Sequence, residues 1–240
     1  MMYKITIVLF LSFLLCQSFH TTKPIKPGEI ILSGGGSIPL PVVNWIKKRA
    51  PIGKYLVITC YPDSKDKWIK LFENAIFILP EDFAKTSLIN ISAIIITGGD
   101  QFEYINRLSG KAIQNAHEKG VLIMGSSAGA MILGEFFFSA EKGTITSEEA
   151  CRNERVCLGS KFVTIKCLKG IIVDTHFQAR EREARLKIFI EKSGAEIGIG
   201  IDEDTALCID GNQFCVLGEG SVKFYPNRNT VNRSVQFWVN

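Results

Sequence analysis

A chain of 240 residues, 46% hydrophobic and 22% charged, is long enough to bury a full core in one α/β domain. Its formal net charge of +4 comes from basic residues scattered along the chain, with no tight cluster interleaved with aromatics, so nucleic-acid binding has little support. In chain order, Lys4 precedes an apolar or hydroxyl run of 12 residues at 5–16, the length of a signal-peptide core and too short for a comfortable membrane span. Residues 1–18 are therefore predicted to be a signal peptide that exports the chain to the periplasm or the medium. Retention as an anchor, or lipidation of Cys16, is the alternative. Two prolines mark 19–28 as a linker, and 29–240 reads as a single domain.

Apolar strand candidates follow at 29–32, 55–60, 75–79, 93–97, 121–124, 170–173 and 197–201, with helical patterns at 42–49, 65–74, 104–119 and 180–192. Strand and helix in alternation predict an α/β fold, a mostly parallel sheet covered by helices on both faces. At 205–225 the rhythm changes to two short strands around Asp210-Gly211-Asn212, an antiparallel hairpin at a sheet edge. Six cysteines lie beyond the leader. Cys208 and Cys215 flank that turn symmetrically, which leaves a cross-strand bridge and two core thiols equally open. No C-x-x-C occurs and no histidine neighbours a cysteine, so the sequence supports neither a metal site nor a cofactor.

Parallel sheets carry their functional loops at the carboxyl ends of the strands. The first such end is Ser33-Gly34-Gly35-Gly36-Ser37, which is neither a dinucleotide fingerprint nor a P-loop; its glycines let the backbone pass close beneath a pocket. Another is Thr97-Gly98-Gly99-Asp100-Gln101. The third, Gly125-Ser126-Ser127-Ala128-Gly129, fits G-x-S-x-G between an apolar strand and an apolar helix; by itself the pentapeptide is equally a turn that holds Ser127 out as a nucleophile and a plain glycine-rich turn, and the rest of the chain decides.

A nucleophilic serine needs a base. Of three histidines, His20 lies at the leader boundary and His117 sits at the opposite end of the sheet as a solvated helix residue. His176 directly follows a strand and is left as the base. Asp202, Glu203 and Asp204 end the next strand; Glu203 is the choice for the orienting carboxylate, with the two aspartates as alternatives. The order Ser127, His176, Glu203 differs from the serine, acid, histidine order of α/β-hydrolases and removes a lipase or esterase reading.

Together, Gly98-Gly99-Asp100-Gln101, Gly125-Ser126-Ser127-Ala128-Gly129-Ala130, Asp174-Thr175-His176-Phe177 with Arg180, Arg182 and Arg185, and Gly198-Ile199-Gly200-Ile201-Asp202-Glu203-Asp204-Thr205 resemble the cyanophycinase and aspartyl dipeptidase (peptidase E-like) family of serine peptidases. The resemblance implies a three-layer αβα fold like that of class I glutamine amidotransferases, with serine in place of cysteine at the elbow. It also implies an oxyanion hole from the N–H groups of Gly99 and Ala128. Substrate binding would fall to Gln101, Asp174, Thr175, Arg180, Arg182 and Arg185, the arginines clamping an aspartate carboxylate and Asp174 meeting a substrate guanidinium. Thr175 stands where the cyanophycinase branch leads one to expect glutamine. The competing reading of the arginines is a solvated helix face, because Glu181 and Glu183 alternate with them.

The function so implied is an exopeptidase for aspartyl or isoaspartyl peptides, working through an acyl-enzyme on Ser127. The partner is an acidic peptide or cyanophycin-like polymer, and a homodimer is left open. The alternatives are an α-aspartyl dipeptidase and an exported binding protein that keeps the fold without catalysis. An amidotransferase-type glutaminase would need cysteine at 127.

Overall fold

The computed structural model describes residues 25–61 and 65–229. The expected signal peptide, His20 and Cys16 lie outside the described residues. Along the chain run β1 (Ile30–Ser33), α1 (Leu40–Arg49), β2 (Lys54–Ile58), α2 (Lys65–Leu71), β3 (Ala75–Ile78), β4 (Ile91–Ile96), α3 (Gln101–Arg107), α4 (Gly110–Glu118) and β5 (Leu122–Ser126). They are followed by α5 (Ala128–Met131), β6 (Phe136–Phe138), α6 (Ser147–Cys151), β7 (Leu158–Ser160), β8 (Ile171–Asp174), α7 (Glu183–Ser193), β9 (Ile197–Ile201), β10 (Thr205–Asp210), β11 (Gln213–Gly218) and β12 (Val222–Pro226).

The strands form two sheets. One has seven strands in the order β11-β10-β1-β5-β4-β2-β3, parallel from β1 to β3, with the expected hairpin at its edge. The second has five, β12-β9-β8-β6-β7, with β9, β8 and β6 parallel. The α/β class holds, whereas the single sheet divides in two. The extra strands are short: β6 and β7 span three residues each and show no period that a sequence reading could detect.

Side chains alternate across the pleat, so each central strand feeds two cores. Leu56, Ile94, Ile96 and Ile123 face one cluster, which also takes Tyr104 of α3, Ile113 of α4 and, from the second sheet, Val173, Ile199 and Ile201. Val57, Ala93, Ile95 and Met124 face the other, covered by Val42, Val43 and Ile46 of α1 and by Trp68 of α2. A third cluster, with Phe138, Ile172, Leu186 and Phe189, lies between the second sheet and α7. The layers are therefore helix, sheet, a mixed layer containing the second sheet, and helix.

Where helices begin follows local capping. The predicted 104–119 helix is two helices, because the Ser109 hydroxyl accepts from the Ala112 amide at 3.2 Å and restarts the coil as an N-cap. The α7 helix ends on Gly194 in the left-handed region, φ 72. His117 is a correction: it is buried at the end of α4, its carbonyl accepts from the Gly28 amide at 2.8 Å, and burial lowers its pKa.

Candidate active site

The carboxyl ends of β1, β4 and β5 in the first sheet meet those of β8 and β9 in the second. At the end of β5 the chain must turn into α5 with almost no room. A Cβ on Gly125 would lie 2.4 Å from the Gly129 carbonyl, and one on Gly129 would lie 2.3 Å from the Ile96 carbonyl. These two approaches require glycine on either side of the elbow. Ser127 is held between them at φ 52, ψ −117, a conformation that costs a non-glycine residue of order 1–3 kcal/mol. Its amide donates to the Ser33 carbonyl of β1 at 2.9 Å, and its carbonyl accepts from Ala130 and Met131.

Ser127 Oγ lies 2.7 Å from His176 Nε2, and His176 Nδ1 lies 2.5 Å from Glu203 Oε1. A carboxylate only accepts, so Nδ1 carries the proton and Nε2 is the acceptor of the serine O–H. His176 follows β8 and Glu203 follows β9, so the nucleophile comes from one sheet and its partners from the other. The three glycines after β1 bridge them. The Gly34 carbonyl accepts from the His176 amide at 2.8 Å, and the Gly35 carbonyl accepts from the Asp204 amide at 3.0 Å. A Cβ on Gly35 would sit 2.4 Å from His176 Cε1, and one on Gly36 would sit 2.4 Å from Asp204 Oδ1. Both glycines have positive φ, 98 and 72. The expected pocket-floor role of this loop becomes specific: it is the bed of the imidazole.

Asp202 and Asp204, the alternative acids, are engaged elsewhere. Asp202 accepts from the amides of Gln178 and Ser221, both at 3.0 Å, and from the Ser221 hydroxyl at 2.7 Å. Asp204 Oδ1 accepts from the Ser37 amide at 2.5 Å. They fix the loops that carry His176 and Glu203, a task that their place in an acidic triplet does not reveal.

Gly98 and Gly99 close the other side. A Cβ on Gly98 would lie 3.3 Å from Ser127 Cβ, and Gly99, at φ 153, passes against the Tyr61 ring, which the sequence does not single out. Gln101 opens α3 and donates to Met131 Sδ at 3.2 Å, half-buried over α5.

The basic residues separate into two groups, which corrects both sequence readings. Arg185 is fully buried, with Nε 2.8 Å from Asp174 Oδ2 and Nη2 2.6 Å from Asp174 Oδ1. Arg182 is buried beside it, with Nη1 3.2 Å from the same Oδ1 and 2.8 Å from the Thr175 carbonyl. Burial pulls the Arg182 pKa down to about 10, opposed by the Asp174 charge. These arginines neither clamp a ligand nor line a solvated face, and Asp174 has spent its acceptors on its own chain. Thr175 is buried, its hydroxyl without a partner among the described residues. Arg180 alone is exposed; its amide donates to the His176 carbonyl at 3.0 Å.

Burial lowers the His176 pKa; the hydrogen bond to Glu203 opposes this, and the charges of Arg180 and Arg182 lower it further. A base must be neutral to act, so the acid limb of kcat/KM is expected below the ordinary imidazole value. Arg180→Ala removes a positive neighbour and is expected to move that limb upward in pH, as pH–rate profiles would show. A limb that stays in place would mean that the guanidinium does not act on the imidazole.

The profile of peptidase family S51 matches residues 76–217, more than half of the chain and all three members of this relay. The chain belongs to peptidase family S51. It is 31% identical over 144 residues to a cyanophycinase of Nostoc sp. (strain PCC 7120 / SAG 25.82 / UTEX 2576), covering 58% of this chain and 46% of that protein. It is 33% identical over 144 residues to a cyanophycinase of Synechococcus elongatus, covering 58% and 42%. The chain thus spans about half the length of the curated relatives it matches. Among solved structures, a peptidase from an acI-B1 Actinobacterium superposes with a TM-score of 0.64 at 19% identity, over 85% of this chain and 93% of that one, which shows a shared fold.

Proposed function

We propose that this S51 member is a serine exopeptidase that hydrolyses aspartyl or isoaspartyl peptides through an acyl-enzyme on Ser127. The observation that carries the reading is the continuous relay from Ser127 Oγ through His176 to Glu203. In this mechanism His176 takes the serine proton as Oγ attacks the scissile carbonyl, and Glu203 stabilises the imidazolium. The N–H groups of Gly99 and Ala128 hold the oxyanion. The proton then passes to the leaving amine, and water, activated by the same imidazole, releases the acid. The apolar run at 5–16 supports an exported enzyme.

With Arg182 and Arg185 committed to Asp174, Arg180 is the guanidinium left to receive a substrate carboxylate beside the serine. That favours recognition of the aspartyl acid over recognition of a substrate arginine. The test compares kcat/KM on β-aspartyl, α-aspartyl and asparaginyl dipeptides. Wild type is expected to prefer the aspartyl forms. Arg180→Ala is expected to lower the aspartyl values about 10- to 100-fold, the worth of one charge-assisted bond, and the asparaginyl value less. An unchanged preference in Arg180→Ala would remove it from specificity. Preference for the α-linked substrate would select the α-aspartyl dipeptidase reading.

A further inference from the structure

The catalytic groups stand at the carboxyl end of the seven-stranded sheet; the amino end has a different character. Of the large apolar side chains, Ile52 is 87% exposed, Ile89 80% and Ile25 68%. All three lie on loops that enter strands at that amino end. Ile52 precedes β2 and Ile89 precedes β4, and the loops touch: the Lys54 amide donates to the Asn90 carbonyl at 2.8 Å, and a Cβ on Gly53 would lie 2.6 Å from that oxygen. Ile25 enters β1, and a Cβ on Gly120, at the start of β5, would lie 3.4 Å from Ile25 Cγ2. Because the strand order is β1-β5-β4-β2, the isoleucines form a row about 15 Å long.

Charge at this end is lopsided. Lys47 and Lys48 end α1, Lys54 begins β2 and Lys119 caps α4, all exposed and without an ion pair among the described residues. The acids nearby are Glu29 and Asp210, taken by Arg49 and Lys26, Glu118, which accepts from Gln114, and the exposed Glu73 ahead of β3, so the lysines still outnumber the uncompensated carboxylates. The chain also enters the fold here. The 24 residues ahead of Ile25 carry the apolar run 5–16 and Lys23, and they join the domain at the row of isoleucines.

We propose that this amino-end face is a docking surface for an anionic lipid bilayer, with the isoleucines seated among acyl chains and the lysines at the headgroups. No helix among the described residues is long and apolar enough to cross a membrane, so docking is peripheral. Each lysine near an anionic surface strengthens binding about fivefold. The orientation points Ser127 away from the lipid, toward solvent and soluble peptides.

The test uses the full chain with vesicles of phosphatidylcholine, with and without about a third phosphatidylglycerol. Hydrogen exchange is expected to slow at 51–54 and 87–91 on the anionic vesicles, with the 37–40 loop at the opposite end unchanged. Ile52→Asn with Ile89→Asn is expected to lower affinity for those vesicles at least tenfold, and Leu40→Asn, as exposed as Ile25 but at the other end, to leave it within about twofold. Affinity should fall as salt rises. Absence of protection at the two loops would overturn the proposal. So would a double variant that binds vesicles like wild type; if it also lost thermal stability or changed its molecular mass, the chain's own leader or a second copy would be the cover instead.

Discussion

Ser127→Ala is expected to lower kcat by at least about a thousandfold, more than 4 kcal/mol of barrier, while the protein stays folded. Among the described residues the serine hydroxyl bonds to His176 Nε2, so its loss removes a half-buried hydrogen bond worth about 1 kcal/mol. The positive φ at 127 is a property of the elbow and is borne by alanine equally. His176→Ala should be nearly as damaging. Glu203→Gln should lose less, because the base remains and only the charge beside the imidazolium goes. Steady-state rates with circular dichroism on the same preparations separate chemistry from folding. A Ser127→Ala protein with more than about a tenth of the parent turnover would exclude an acyl-enzyme on this residue, since that ratio is only about 1.4 kcal/mol.

The second large effect is on stability. Asp174→Ala strips the shared partner from Arg182 and Arg185, both buried, and leaves two guanidinium groups without their counter-charge. Breaking a buried pair in this way costs about 3–5 kcal/mol, a large part of the 5–15 kcal/mol that holds a typical domain together. The melting temperature is expected to fall by roughly 10 °C, and the urea midpoint with it. Arg180→Ala, changed on an exposed side chain four residues past the base, should leave both nearly unchanged. If Asp174→Ala unfolded like its parent but showed a raised KM, Asp174 would be a substrate ligand after all.

The contrast between Arg180 and Arg185 shows why part of the site is legible in the sequence and part is not. The hydrogen-bonded arrangement of Ser127, His176 and Glu203 is legible because β5, β8 and β9 are buried runs whose ends fall at one edge, and few histidines compete. Local rules suffice there. The arginines defeat such rules: Arg180, Glu181, Arg182 and Glu183 alternate like a solvated face, yet Arg185 is paired with Asp174, eleven residues earlier and on another element. Similarly, Asp202 and Asp204 differ from Glu203 only in which backbone amides come near, and those belong to distant loops. The second sheet escapes detection because three-residue strands such as β6 gain their identity from neighbours rather than from a pattern of their own.

The loop at Gly34, Gly35 and Gly36 gives the molecule a mechanical property. Because the serine and its imidazole are anchored in separate sheets, the reacting pair is a joint, and this loop is the clasp across it: rooted in β1, hydrogen-bonded to the backbone of His176 and of Asp204, and filled so closely that a single methyl group would prise it open. Displacing one sheet against the other by 1 Å would lengthen the 2.7 Å contact past hydrogen-bonding distance, a slide resisted by the core cluster that Val173, Ile199 and Ile201 share with the first sheet. On the proposed mechanism, turnover is therefore expected to gauge alignment, sensitive to how the two sheets are seated against each other through the core they share.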